Sequence, residues 1–282
     1  MIRGEKLEAY RRETFRLGAE RKLQRKEDAV AYVREMGFVF FWPIKGVLYP
    51  SLWTAVAGNR PVANRHDDPG HITWRWKDEL LGQKKWHYAK VMRGKATMIS
   101  PALLPIFYAL SENYGDPEQD YLLQYEDGLL SREAKLIYEM LLRSGPLDTV
   151  NLRRRTGLAG KKSKSAFERG LTHLQRDFKI MPIAVADTGS WGYSFVYDLV
   201  HRQYPDLVAA ARPVKRSSAR RDLVRCYFRA IGAANALEVK KVFQWKPAEI
   251  LRTLATLAEQ GELIHTGGTA KRPAYALPSL TA

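Results

Sequence analysis

The sequence predicts an α+β fold, mainly helical, whose strands come as small β-hairpins. Three observations predict it. One order of elements occurs twice between residues 131 and 277: an amphipathic helix, a short helix, a long basic helix and two strands around a Gly-containing turn. Each copy carries its own stop residues, Gly145-Pro146 in the first and Gly232 and Gly261 in the second. The positive charge of the chain peaks on the same two stretches. This order is that of the winged helix, a helix-turn-helix module suited to DNA grooves. It divides the 282 residues into a basic N-terminal helix or arm over 1–26, an aromatic-rich domain over 27–127, and tandem winged helices over 128–208 and 214–282.

In the first copy Ser131 is a good N-cap, and Ala134, Ile137, Tyr138, Leu141 and Leu142 recur as one helical face. A short helix follows over about residues 148 to 155. After Gly157 the polar loop AGKKSKS leads into a longer helix with apolar positions Phe167, Leu171, Leu174 and Phe178. Residues 180 to 185 read as a strand, Asp187-Thr188-Gly189-Ser190 as a turn and 191 to 199 as the return strand. The second copy begins near Ser217 or Ser218 and buries Leu223, Val224, Tyr227, Phe228 and Ile231. Residues 236 to 243 give its short helix. Pro247 opens the third helix as a first helical residue, with Ile250, Leu251, Leu254 and Leu257 on its apolar face. Residues 263 to 266, a Gly267-Gly268 turn and residues 272 to 277 complete that wing.

Charge narrows the partners. Lys and Arg outnumber Asp and Glu by 46 to 30, a net charge of +16. Residues 131–176 hold 11 bases against 4 acids and residues 211–252 hold 11 against 3, whereas 111–127 hold six acids and no Lys or Arg. Concentrated basic faces fit double-stranded DNA; the plainer readings are solvated helix faces, an acidic protein or an anionic lipid. The N-terminus is highly charged and the apolar runs are short, so neither a secretory signal nor a membrane span is expected. A single cysteine, Cys226, permits no internal disulfide and reads as a core or edge residue. The expectation is a cytoplasmic, DNA-associated, monomeric protein without cofactor or metal. No Cys/His spacing resembles a zinc site, and GLAGKKSKS lacks the glycine spacing of a phosphate loop.

The candidate DNA contacts follow from geometry. A helix over residues 164 to 177 spans roughly 21 Å and matches a major groove about 12 Å wide. Lys161, Lys162, Lys164 and Ser165 stand at its N-terminal end, Arg169 lies on its outer face, and Arg153, Arg154 and Arg155 precede it. In the second copy Lys240, Lys241, Lys246, Lys271 and Arg272 are the counterparts. Such residues set affinity and register on phosphates and carry no sequence information. Trp191 and Tyr193 in the first wing reach a groove or, for Trp191, close the core beneath it; the core reading is favoured.

The stretch 28–110 differs in character. It holds Trp42, Trp53, Trp74, Trp76 and Trp86 and the apolar run GFVFFWPI. A helix over residues 28 to 36, stopped by Gly37, feeds this run, and Pro50-Ser51-Leu52-Trp53 starts another, as in a degenerate third winged helix. Trp42 and Trp53 read as core. Trp74 and Trp76 alternate with Thr73, Arg75 and Lys77 as in a strand with one aromatic face, which makes that pair the candidates for stacking on a base. His66, Asp67, Asp68, His71, Asp78 and Glu79 form a polar group that a loop explains as readily as chemistry does. The first 26 residues, with nine bases and four acids, fit an extra helix or a mobile arm equally.

GFVFFWPIK, WHYAKVMRGKATMISPALLPIF, RSGPLDTVNLRRRTGL, LAEQGELI and RPAYAL together resemble the winged-helix DNA glycosylases of the AlkZ and YcaQ type, over about residues 28–277. The resemblance implies a DNA-embracing arrangement of winged helices and removal of alkylated or crosslinked bases. In that family a Gln-x-Gln or Gln-x-Asp motif precedes Pro-Ile. Aligned on Pro43-Ile44, its two catalytic polar positions fall on Phe40 and Trp42, and the aromatic-Ala-His pattern becomes Tyr88-Ala89-Lys90. Phe and Trp offer no acceptor to orient a water or support a cationic sugar. Asp67, Asp68, Asp78, Glu79 and Gln83 are then the nearest substitutes in sequence for an acid or amide beside the sugar. Two functions follow from this reading: damage recognition with base excision by a divergent site, or non-catalytic DNA binding as a regulator or architectural factor.

Overall fold

The computed structural model describes residues 4–189 and 192–281. The fold is α+β and mainly helical, with small antiparallel sheets. It divides into two compact units that do not follow chain order: residues 1–76, 98–102 and 215–282 form one, and residues 77–97 and 103–214 the other. Residues 27–127, read above as one domain, therefore contribute to both. Among the described residues no helix is long and apolar enough to cross a membrane.

The second unit holds the first repeat: helix Arg132–Ser144, strand Leu147–Asp148, helices Thr149–Arg155 and Lys164–Arg176, and strands Ile180–Ala186 and Ser194–Leu199. The Ser131 hydroxyl accepts from the Ala134 N–H, and the Asp148 carboxylate accepts from Val150 and Asn151, so both helix starts have their orphan donors satisfied. Ile137, Tyr138 and Leu141 bury one face of the first helix against Phe167, Leu171 and Leu174. Gly170 lets the two helices approach: a Cβ there would lie 3.2 Å from the Ala134 nitrogen. Strand Leu147–Asp148 pairs with Ser194–Leu199, which pairs in turn with Ile180–Ala186. The register of that hairpin shifts at Pro182, which has no N–H to give the ladder. Phe178 lies beyond the helix and not on its last turn, as the spacing predicts. It is buried at φ +55°, where the chain folds back so that the Lys179 N–H reaches the Leu174 carbonyl. Ser190 and Trp191 lie outside the described residues, and the return strand begins at Ser194.

The first unit holds the second repeat: helix Arg216–Ile231, strand Ala233–Asn235, helices Ala236–Phe243 and Pro247–Glu259, and strands Ile264–Thr269 and Arg272–Ala276, with the same strand order. The first helix begins with Lys215 as its N-cap, so Ser217 and Ser218 lie inside it. Gly267 and Gly268 are not the turn. They sit in strand Ile264–Thr269 at a register shift, opposite Ala274 and Pro273, and the chain reverses at Ala270 and Lys271. Gly268 has φ +92°, and a Cβ there would lie 2.3 Å from the Arg272 carbonyl, so this strand position, just after the register shift, requires glycine. A row of rings fills the core of this unit. Phe38 stacks on Tyr49 at 4.5 Å, Tyr49 on Tyr227 at 5.6 Å, and Tyr227 meets Phe243 edge-on at 5.8 Å.

The N-terminal segment is a helix, Gly4–Thr14, docked on the end of Arg216–Ile231. A helix leaves its last carbonyls without intrahelical donors. Here Tyr10 Oη donates to the Arg229 carbonyl at 2.6 Å, Thr14 Oγ1 to Ala230 at 2.7 Å, and Arg11 to Ile231 and Ala233 at 2.9 and 2.8 Å. The second unit does the same with Arg202, which donates to Leu141 and Leu142 at 2.8 and 2.6 Å and is held by Asp198 at 3.3 Å. Replacing Arg11 with Met keeps the aliphatic stem and removes two charge-assisted bonds to part-buried carbonyls. It is expected to cost about 2–3 kcal/mol, read as a lower urea midpoint with unchanged slope. An unchanged midpoint would show that water satisfies these carbonyls equally well.

Candidate nucleic-acid interface

The basic residues singled out in the sequence separate into exposed and engaged. Helix Lys164–Arg176 buries Phe167, Leu171 and Leu174 on one side. Lys161, Lys162, Lys164, Ser165 and Arg169 are exposed at and after its N-terminus, with Arg169 donating to Ser165 Oγ at 2.5 Å. Arg154 and Arg155 are exposed on the preceding helix. Arg153 is not a free contact, because its guanidinium donates to the carbonyls of Leu158, Ala159 and Gly160 at 3.3, 3.1 and 3.3 Å and lies 5.5 Å from the Phe167 ring. It closes the loop that starts the next helix. In the other unit Lys240, Lys241, Lys246, Lys271 and Arg272 are all exposed.

The polar candidates do not assemble into one group. Asp68 receives both guanidinium nitrogens of Arg60, at 2.9 and 2.6 Å, and the Gly70 N–H at 2.8 Å. The Arg60 hydrogen bond holds its carboxyl below the usual carboxylate range. His71 Nε2 lies 3.0 Å from the Ala63 carbonyl, and Asp67 is exposed nearby in the chain. Asp78 belongs to the other unit, where it accepts from Tyr193 Oη at 2.9 Å and pairs with Lys77 Nζ at 2.8 Å. Lys77 also donates to Tyr193 Oη at 2.8 Å, and its ammonium lies 4.6 Å from the Phe195 ring centre and 5.5 Å from that of Tyr88. Burial pushes the Lys77 ammonium down, against the bond and charge of Asp78, and pushes the Tyr193 hydroxyl up. The ammonium is fully enclosed, so this cluster ties Lys77 and Asp78 to the hairpin within their unit and presents no nucleophile. Gln83 donates to the Glu79 carbonyl at 2.5 Å.

Trp74 and Trp76 lie in an α-helix, Ile72–Glu79, and not in a strand. Two helical residues two apart are about 200° apart around the axis, so these rings diverge. Trp76 is buried at 3% exposure, whereas Trp74 is half-buried and meets Trp42 at 5.5 Å and Phe41 at 5.7 Å. Trp53 is core at 0% exposure, but Trp42, expected beside it in the core, is 37% exposed.

The two positions that the resemblance assigns to catalysis have parted. Strand Phe38–Phe40 ends at Phe40, whose N–H donates to the Pro50 carbonyl at 3.1 Å. Phe40 is 1% exposed and packs edge-on against Tyr49 at 6.0 Å, within the ring core of its unit. The next residues leave the strand, and Trp42 turns outward. A Gln-x-Gln pair needs both side chains in one site; here one ring is structural and the other faces solvent.

The family model for AlkZ-related proteins matches residues 23–244, more than half of the chain. The protein belongs to the AlkZ-related family. Among solved structures this AlkZ-related chain is similar to the Streptomyces sahachiroi DNA glycosylase AlkZ, at 14% identity and a TM-score of 0.60, over 99% of this chain and 71% of that one. At that identity the likeness is one of fold. No curated protein matches the chain.

Sequence reasoning passed over His87. It is fully buried against Phe178 and Tyr204, with ring centres at 5.3 and 6.0 Å, and neither ring nitrogen has a hydrogen-bond partner. Burial alone pushes its imidazole down from 6.5 to about 3. Between those values the unfolded chain binds a proton that the folded chain refuses. The stability this residue supports is complete above pH 6.5 and is lost as pH falls toward about 3. His87→Leu is therefore expected to unfold less readily than the native chain by a margin that grows to a few kcal/mol from pH 7 to pH 4; parallel urea midpoints across that range would contradict it. Phe40→Gln, the residue type that the resemblance implies there, buries an amide among rings. It is expected to destabilise by about 3 kcal/mol in thermal and urea melts; a neutral outcome would mean that the amide finds partners there.

Proposed function

We propose that this AlkZ-related protein binds double-stranded DNA through the basic faces of tandem winged helices and recognises damage without excising the base. The observation that carries the reading is the presentation of helix Lys164–Arg176: one face buried, and Lys161, Lys162, Lys164, Ser165 and Arg169 exposed around its N-terminal half. Backbone amides at such an end favour phosphate, and the cylinder fits a major groove. The repeated order of helix, strand, helix, helix, strand, strand supports winged helices, as does the first-third-second strand order in the two sheets described. The same element order from Lys26 to Ile99 supports a third, degenerate copy. Likeness in fold to a DNA glycosylase favours damaged DNA as the ligand over a palindromic operator.

Loss of excision rests on Phe40 and Trp42, neither of which offers an acceptor to orient a water or support an oxocarbenium-like sugar. Asp68 and Asp78 are held in ion pairs, which leaves Asp67 and Glu79 as the exposed carboxylates of the candidate set. With protein in excess over labelled duplexes containing N7-alkylguanine or an interstrand crosslink, single-turnover assays are expected to give no alkali-sensitive breaks above the protein-free control. Release above control would make the protein a glycosylase and direct the search to Asp67 and Glu79.

The binding face has its own test. Reversing Arg154, Arg155, Lys161 and Lys162 to Glu is expected to weaken duplex binding at least tenfold in anisotropy titrations. The slope of log K against log salt should flatten by about 0.9 for each phosphate that the variant no longer neutralises. Arg153 is left in place because it holds the loop. Unchanged affinity and slope would remove this helix end from the DNA face.

A further inference from the structure

We infer that Trp42, backed by Trp74 and Phe41, is a stacking platform for an unpaired nucleobase in duplex DNA. This rests on the DNA-binding reading above and names the feature of DNA that the site would take. Trp42 is 37% exposed, although its neighbours in the chain, Phe40 and Phe41, are buried at 1% and 2%. A chain that buries Trp53 completely, with its Nε1 donating to the Arg60 carbonyl at 3.1 Å, has room for a tryptophan in its core. Trp42 is outside because the strand ends at Phe40 and the backbone turns.

The ring is held ready. Phe41 lies 5.3 Å from Trp42, Trp74 lies 5.5 Å away at 62°, and Phe41 and Trp74 meet edge-on at 5.7 Å. The backbone leading into it is pinned twice: the Phe40 N–H donates to Pro50 and the Phe41 carbonyl accepts from the Trp53 N–H, each at 3.1 Å. A pre-set ring loses little entropy on stacking, and every base offers a π-face to it.

Charge selects nucleic acid over a protein or a second copy of the chain. No acidic residue occurs between Glu35 and Asp67, and Lys45 is exposed three residues from the ring, while Arg60 is held by Asp68. On the helix, exposed Arg75 follows Trp74. A base lifted from its partner brings flanking phosphates to such a surface, and a mismatched or damaged pair costs least to open. The position that the resemblance assigns to a catalytic amide or acid thus carries a ring that can hold a base and cannot attack its sugar.

The test uses the full chain and three labelled duplexes identical except at the centre: fully paired, one with a single unpaired adenine, and one with 2-aminopurine in that unpaired place. Native protein is expected to bind the unpaired-base duplex about tenfold more tightly than the paired one and to quench 2-aminopurine. In Trp42→Ala the ratio of the two affinities should fall to about one and the quenching disappear, whereas Trp42→Phe, which keeps a ring, retains part of both. Urea midpoints confirm that each variant is folded. A native ratio of one, or a ratio unchanged in Trp42→Ala, overturns the stacking platform while binding to the paired duplex leaves the DNA reading intact. Failure of the native chain to bind any duplex overturns both. Concentration-dependent self-association that Trp42→Ala abolishes, with no preference for the unpaired base, would make the surface a protein interface and likewise overturn the inference.

Discussion

Each repeat depends on the termination of its first helix by an arginine from elsewhere in the chain. Arg11 supplies a donor to the Ile231 carbonyl and, beyond the helix, to that of Ala233, while Arg202 supplies the Leu142 carbonyl and shares that of Leu141 with the Gly145 N–H. Guanidinium suits this work because its planar fork can reach two carbonyls at once and stays charged when half-buried. The consequence for architecture is large. Arg11 joins residues 220 and 222 positions apart, so the start of the chain becomes part of the unit that its end builds. What reads in sequence as a basic arm is spent on holding a helix end, and its charge is only partly available to a partner.

The same economy explains the segment around Phe40. Its ring is one of a set that includes Phe38, Tyr49, Tyr227 and Phe243, and a polar side chain there would break the set. At the position that the resemblance assigns to a polar residue, Phe40 is thus part of the core and not a surface residue. Once Phe40 serves the core, the neighbouring position is released from pairing with it, and Trp42 faces out. Within the other unit Lys77 and Asp78 show a related outcome, where residues of catalytic type are bound to Tyr193 and each other and hold a hairpin in place.

Helices and hairpins were legible because their signals are local. Ser131, Asp148 and Asn235 cap helices, Gly145 and Gly232 close them, and Pro247 opens one, each through bonds within a few residues. Where local signals compete, the reading was mistaken. Trp74 and Trp76 alternate with polar residues over too short a span to distinguish a period of two from one of 3.6, and the helix won. Gly267-Gly268 has the composition of a turn, but two flexible residues also permit a bulge, and pairing with Pro273 and Ala274 decided it. Of the candidate site, the exposed cations were legible from charge alone, whereas Arg153 was not, because its partners are carbonyls that no side-chain pattern reveals.

By itself the sequence determined the fold class, the repeated order of elements and the basic helix, since all are set by residue type and short spacing. Tertiary structure alone decided which cations are spent on carbonyls, that Phe40 is core and Trp42 is not, that the N-terminal residues form a docked helix, and that His87 is sealed without a partner. Each of these depends on residues brought together from distant parts of the chain, and burial and hydrogen-bond partners are properties of that assembly rather than of any segment.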